Sequence, residues 1–209
     1  MSTFPGSPRL IKGGIVLWDV EASEVKHTII LQYNPQTLTR TLQVQGSGDA
    51  GGNRSEPLRL IGPPVETIKL DAEIDAADQL EFPDKNPHTV EFGIHPQLAV
   101  LETLVYPTST QIRKNNSLAQ AGTLEIIPME TLLTLFAWSK SRIMPVRLTD
   151  FSITEEAFDP ALNPLQAKIS LGFRVLNIND LGFDHPGGSL FMIYLQQKEQ
   201  LAAKMKSVI

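Results

Sequence analysis

The chain has 209 residues, 18 basic against 23 acidic for a formal charge of −5, with 42% hydrophobic and 20% charged residues, a balance that fits one soluble core with appendages. No Lys or Arg cluster supplies the cationic face that phosphate binding needs, so nucleic acid is not an expected partner. The absence of cysteine excludes disulfides and thiolate metal sites. No apolar run reaches the roughly 18 residues of a membrane span, and Met1 to Gly14 lacks the apolar core of a signal peptide, so we expect synthesis in the cytoplasm and no direct membrane insertion.

After a start rich in Pro and Gly, Ile15 to Val20 and Thr28 to Tyr33 read as the strands of a first hairpin around the polar segment Glu21 to Lys26. Asn34-Pro35 breaks it. A third strand runs from Thr37 to Val44, with Leu38, Leu42 and Val44 facing one way and Thr39, Thr41 and Gln43 the other. Gly46 to Pro64 is rich in Gly, Ser and Pro and too long for a hairpin turn. Glu66 to Asp75 alternates cleanly, with Ile68, Leu70, Ala72 and Ile74 inward and Lys69, Asp71, Glu73 and Asp75 outward. Pro96 opens a helix over about 96–106, and Pro107 to Gly122 reads as loop. Leu132 to Trp138 is an apolar strand. His27, His88, His95 and His185 lack metal-site spacing, and no glycine or serine motif carries a phosphate-cradle or nucleophile-elbow context. No cofactor, metal or catalytic residue is therefore expected, and the glycines of Gly187-Gly188 read as a turn.

The last strand pair is the most legible part. From Gln166, Ala167, Ile169, Leu171, Phe173 and Val175 alternate with polar residues, while the preceding strand changes phase between Leu148 and Phe151, which predicts a β-bulge at Thr149 or Asp150. Phe158-Asp159-Pro160 and Asn163-Pro164 form the connector. Beyond Leu176, Phe191, Tyr194, Leu195, Leu201, Ala202 and Met205 share one helical stripe, with Ser189 as the expected N-cap.

Three motifs in order, Gln32-Tyr33-Asn34-Pro35-Gln36-Thr37-Leu38, Leu135-Phe136-Ala137-Trp138 with Pro145-Val146, and Glu156-Ala157-Phe158-Asp159 with Asn163-Pro164 and the strand Ala167 to Leu176, resemble the tube and tube-adaptor proteins of contractile injection systems, the phage-tail-like particles of bacteria. The resemblance covers roughly Leu10 to Leu176; the stretch after Leu176 is expected to be too short for the C-terminal LysM domain that many adaptors of that family carry. It implies a mainly β fold with helical appendages (α+β), an antiparallel β-barrel or sandwich of phage tail-tube type, over residues 1–176, with residues 177–209 as a C-terminal helical extension. It further implies a structural subunit, not an enzyme, that forms a homo-hexameric ring joining the inner tube to the spike in the baseplate. Its partners would be itself, the inner tube protein, a spike protein of the VgrG-like type and other baseplate components. Thr39, Thr41, Gln43, Lys69, Asp71, Glu73 and Asp75 would then be candidate channel-lining residues. Gly46, Asp49, Asn53, Arg54 and Arg59 would lie in an inter-ring loop, in a particle assembled in the bacterial cytoplasm.

Two alternatives stand beside this. One is the inner tube subunit of the same particle. The other, of a different class, is a cell-wall carbohydrate-binding or hydrolytic module using the acids of the Glu66 to Asp75 strand with Trp18 or Trp138 as a sugar platform.

Overall fold

The computed structural model describes residues 11–46, 59–122 and 132–205. Seven strands, β1 (Gly14–Asp19), β2 (Glu24–Ile30), β3 (Leu38–Gln43), β4 (Val65–Asp75), β5 (Leu133–Ser139), β6 (Arg142–Phe158) and β7 (Pro164–Val175), form one antiparallel sheet in the order β2-β1-β5-β6-β7-β4-β3. The class is mainly antiparallel β with helices, and the sheet of the single chain is open, with β2 and β3 at its ends. The predicted bulge is present. Leu148 lies opposite Phe173 and Asp150 opposite Gly172, so Thr149 is the extra residue that carries the inward series from Val146 and Leu148 to Phe151 and Ile153.

One face of the sheet holds the core. Ile68, Leu70 and Ala72 of β4, Ile169, Leu171 and Phe173 of β7, and Phe136 of β5 are buried together, and Phe136 stacks on Phe173 with ring centroids 5.2 Å apart. Helices cover this face: α1 (Ala77–Leu80), α3 (His95–Glu102), which follows α2 (Pro87–Phe92), and α6 (Pro186–Ala203), which follows the short α5 (Ile178–Leu181). Leu98 and Leu101 of α3 and Phe191 and Tyr194 of α6 belong to the same cluster as the strands, so the C-terminal helix packs on the sheet.

Several expectations need correction. Residues 107–122 are not loop throughout: α4 (Ser109–Gln120) lies there, begun by a capping box in which Thr108 and Gln111 bond each other reciprocally. This helix buries no residue, and Ile112 and Leu118 are too few to set an apolar stripe that would have revealed it. Ser189 is not the N-cap of α6. His185 takes that place, its Nδ1 accepting from Gly187 N at 3.0 Å, and Gly187 and Gly188 form the first helical turn instead of a loop turn. Gly188 is there for contact: a Cβ at this position would fall onto the carbonyl oxygen of Gly182. The first helical reading, 96–106, covers α3 and the turn after it, while α1 and α2 were not foreseen.

The β6–β7 connector is held by Asp159. Its carboxylate accepts from Ala161 N, Asn163 N and Asn163 Nδ2, each at 2.8 Å, and the Asn163 bonds hold it below the usual carboxylate range. Leu162 in this turn has φ +67 and is 79% exposed, a left-handed backbone that costs a residue with a Cβ roughly 1 kcal/mol. Leu162→Gly is therefore expected to leave the urea-unfolding free energy unchanged or raise it by up to about 1 kcal/mol. A loss larger than that would show that the side chain contributes to the fold of the monomer.

Candidate functional site: an open polar sheet face between two free edges

The face opposite the core is polar over β3, β4, β7 and the second half of β6. Thr39 lies opposite Lys69 and Thr41 opposite Thr67, and Lys69, Asp71, Glu73 and Asp75 pair in turn with Gly172, Ser170, Lys168 and Gln166. The structure thus brings Thr39, Thr41, Gln43, Lys69, Asp71, Glu73 and Asp75 onto one surface, all exposed except the half-buried Asp75. The same surface continues through Ser152, Thr154 and Glu156 of β6, which the sequence reading had not assigned to it. Of the loop candidates, Gly46 bridges to Leu60 and Arg59 is exposed, while Asp49, Asn53 and Arg54 lie outside the described residues.

Charge is graded along the strands. Arg147 and Arg174 sit opposite each other at one end. Like charges in this position repel, and Asp180 relieves the pair by holding Arg174 at 2.7 Å. At the other end lie Asp75 and Glu156, with Lys168 bound to Glu156 at 3.0 Å. The hydrogen-bonded Glu156 carboxylate raises the Lys168 pKa.

The Gln-Tyr-Asn-Pro segment forms a wall beside this acidic end, and its amides explain its composition. Gln32 accepts from Asp75 N at 3.0 Å and donates to Asp75 O at 2.8 Å, pairing with the end of β4 as a strand residue would. Asn34 does the same for the N-terminal segment, accepting from Gly13 N at 2.9 Å and donating to Ile11 O at 2.8 Å. Tyr33 stands at the mouth, where burial and then the charge of Asp78 push its pKa up. Between this wall and Asp71, Glu73, Thr154 and Lys168 is an open depression of about 580 Å³. The three acids project in a row from one strand, and Trp138 on β5 is three strands away from them, roughly 14 Å. Trp138 instead packs against Phe136 at 5.9 Å. Among the described residues no three His, Asp or Glu side chains converge as metal ligands would.

Two edges of this surface are open. Among the described residues β3 has β4 on one side only. β6 pairs with β5 through Val146 and, among the described residues, has β7 alone beyond it. Phe151 and Ile153, which point to the core face, stay half-buried there, whereas their β7 neighbours Leu171 and Ile169 are 1% exposed. The β2 edge is different: it carries Glu24 and Lys26 and a register shift against β1, features that discourage pairing.

A group the sequence reading missed anchors this sheet to α6. Glu66, 4% exposed, accepts from Tyr194 Oη at 3.0 Å, Lys198 Nζ at 3.0 Å and Arg40 Nε at 2.7 Å. Lys198 also sits 4.0 Å above the Tyr194 ring. Burial pushes the Glu66 carboxyl up, but the hydrogen bonds and charges of Lys198 and Arg40 outweigh it and hold the pKa below its ordinary value. Burial, then the Glu66 charge, pushes the Tyr194 phenol well above its own. The available signal was parity: Glu66 and Arg40 stand at inward positions of otherwise apolar series.

No protein-family model matches the chain, and no curated protein matches it.

Proposed function

We propose that this chain is a structural subunit of a contractile injection system, forming a ring that joins the inner tube to the spike in the baseplate. The observation that carries the reading is a polar four-stranded surface ended by two unpaired strands of opposite direction, β3 and the second half of β6. Copies related by rotation about an axis along the strands bring β3 of one against β6 of the next, antiparallel, so a closed ring would pair β3 along its length and about half of the open stretch of β6, Arg147 to Phe158. Six copies would make a barrel of about 24 strands, beyond the roughly 16 at which a closed barrel holds an aqueous channel. Thr39, Thr41, Gln43, Lys69, Asp71, Glu73 and Asp75 would line it.

The second reading, inner tube subunit, is favoured by the two ends of that surface. Val44, Leu60 and Ile61 are exposed by 69%, 72% and 71% at the Arg147 end, and Phe158 and Leu162 by 50% and 79% at the Glu156 end. Opposite charge and matching apolar exposure suit head-to-tail stacking of identical rings. Electron-microscope imaging of the purified chain, alone and with inner tube and VgrG-like spike proteins, separates the two. The adaptor role gives single rings that cap tubes and hold the spike; filaments of this chain alone would give the tube role, and binding to neither partner would remove the adaptor role.

A further inference from the structure

β3 is the least secured strand of the polar surface. Among the described residues it pairs with β4 alone, and its outward side chains Thr39, Thr41 and Gln43 are exposed. Its inward side chains are Leu38, Arg40 and Leu42, of which Leu38 packs on the core and Leu42 is 46% exposed. A strand with one ladder and one core side chain opens locally at low cost.

Arg40 supplies a further hold. It stands opposite Ile68 of β4, and its diagonal neighbour on the same face is Glu66. Arg40 Nε donates to Glu66 Oε1 at 2.7 Å and Arg40 Nη2 donates to Tyr194 Oη at 3.2 Å. The guanidinium makes both bonds charge-assisted, stronger than bonds between neutral groups. Tyr194 belongs to α6, 154 positions away in the chain. Its hydroxyl donates to Glu66 Oε1 at 3.0 Å, while Lys198, one turn further along α6, donates to Glu66 Oε2 at 3.0 Å. The helix thus fixes the carboxylate, and the carboxylate and the phenol together fix Arg40.

We infer that α6 clamps β3 in strand form through Arg40, so that the C-terminal helix sets the order of the edge at which copies of the chain would join. The bearing on assembly rests on the ring reading above; the clamp itself does not. Arg40 acts here as a positioning residue, committed within its own chain on the core face and leaving the outer backbone groups of β3 to a partner strand. A six-residue edge already ordered spares the joining strand the entropy of fixing it.

Hydrogen exchange of the monomeric protein, below the concentration at which it assembles, tests the clamp. Arg40→Met is expected to speed exchange of the β3–β4 ladder amides about tenfold or more, while the β4–β7 ladder keeps its protection. Tyr194→Phe, which alters no ladder residue, is expected to act in the same direction, and Arg40→Lys to restore part of the protection by one bond to Glu66. The concentration at half-assembly should rise in step with β3 exchange. Unchanged β3 exchange in Arg40→Met and Tyr194→Phe, or equal acceleration of both ladders, would overturn the clamp. Faster β3 exchange with normal ring assembly would overturn its role in assembly. A wild-type chain that stays monomeric alone and with tube and spike proteins would overturn the ring reading, and selective β3 exchange would then uphold the clamp by itself.

Discussion

Glu66→Ala is expected to lower the unfolding free energy by about 3 kcal/mol, because removing one partner of a buried ionic group leaves the others desolvated and unpaired. The loss stays near that value because the Arg40 and Lys198 side chains retain 26% and 35% exposure and can turn to water. The 2% exposed Tyr194 cannot, and its hydroxyl loses its acceptor. Glu66→Gln keeps the shape and one acceptor oxygen and should cost less, about 2 kcal/mol. The same carboxylate sets a pH dependence. Its folded pKa lies below its ordinary value, so its contribution is complete above the unfolded carboxylate's titration near pH 4.3. It is lost as pH falls through the folded pKa. Urea titrations at pH 7 and pH 3.5 should therefore show the gap between wild type and Glu66→Gln narrowing in acid. A gap of constant size would contradict the assignment of the charge to Glu66.

Gly93→Ala is expected to be at least as costly, about 3 kcal/mol or more, for two compounding reasons. Gly93 has φ +59 and ψ −135, a region that residues with a Cβ scarcely occupy. A Cβ there would also fall onto the carbonyl oxygen of Pro164, the atom that accepts from Ile94 N at 2.9 Å and fixes the α2–α3 junction on the start of β7. Relieving the clash means giving up that bond and moving Ile94, which is fully buried, out of the core. A loss below about 1 kcal/mol in urea titration would mean that the helices can lift from the sheet without disturbing it.

Legibility in the sequence follows how local the cause is. The alternation of β4 and β7 and the bulge at Thr149 are set by residues two positions apart, so the pattern carried them, and with them the shared face of Thr39, Lys69 and Asp71. α4 was hidden because it is mostly polar, with Ile112 and Leu118 its only large apolar residues, and its strongest signal is the Thr108 and Gln111 cap. The N-cap of α6 moved from Ser189 to His185 because Gly187 and Gly188, which usually argue against helix, are required where the helix meets Gly182. The Glu66 cluster joins residues 26 to 154 positions apart, and no spacing rule reaches that far. The open half of β6 was equally out of reach, because it depends on where β5 stops pairing.

The claim on which the functional account turns is that β3 and β6 edges join copies of the chain into a closed ring. The most direct measurement is the solution mass by light scattering across a concentration series, alone and with tube and spike proteins. The account predicts a discrete species near six times 23.1 kDa that dominates alone or on partner addition. A constant 23.1 kDa at every concentration, unmoved by either partner, would contradict it.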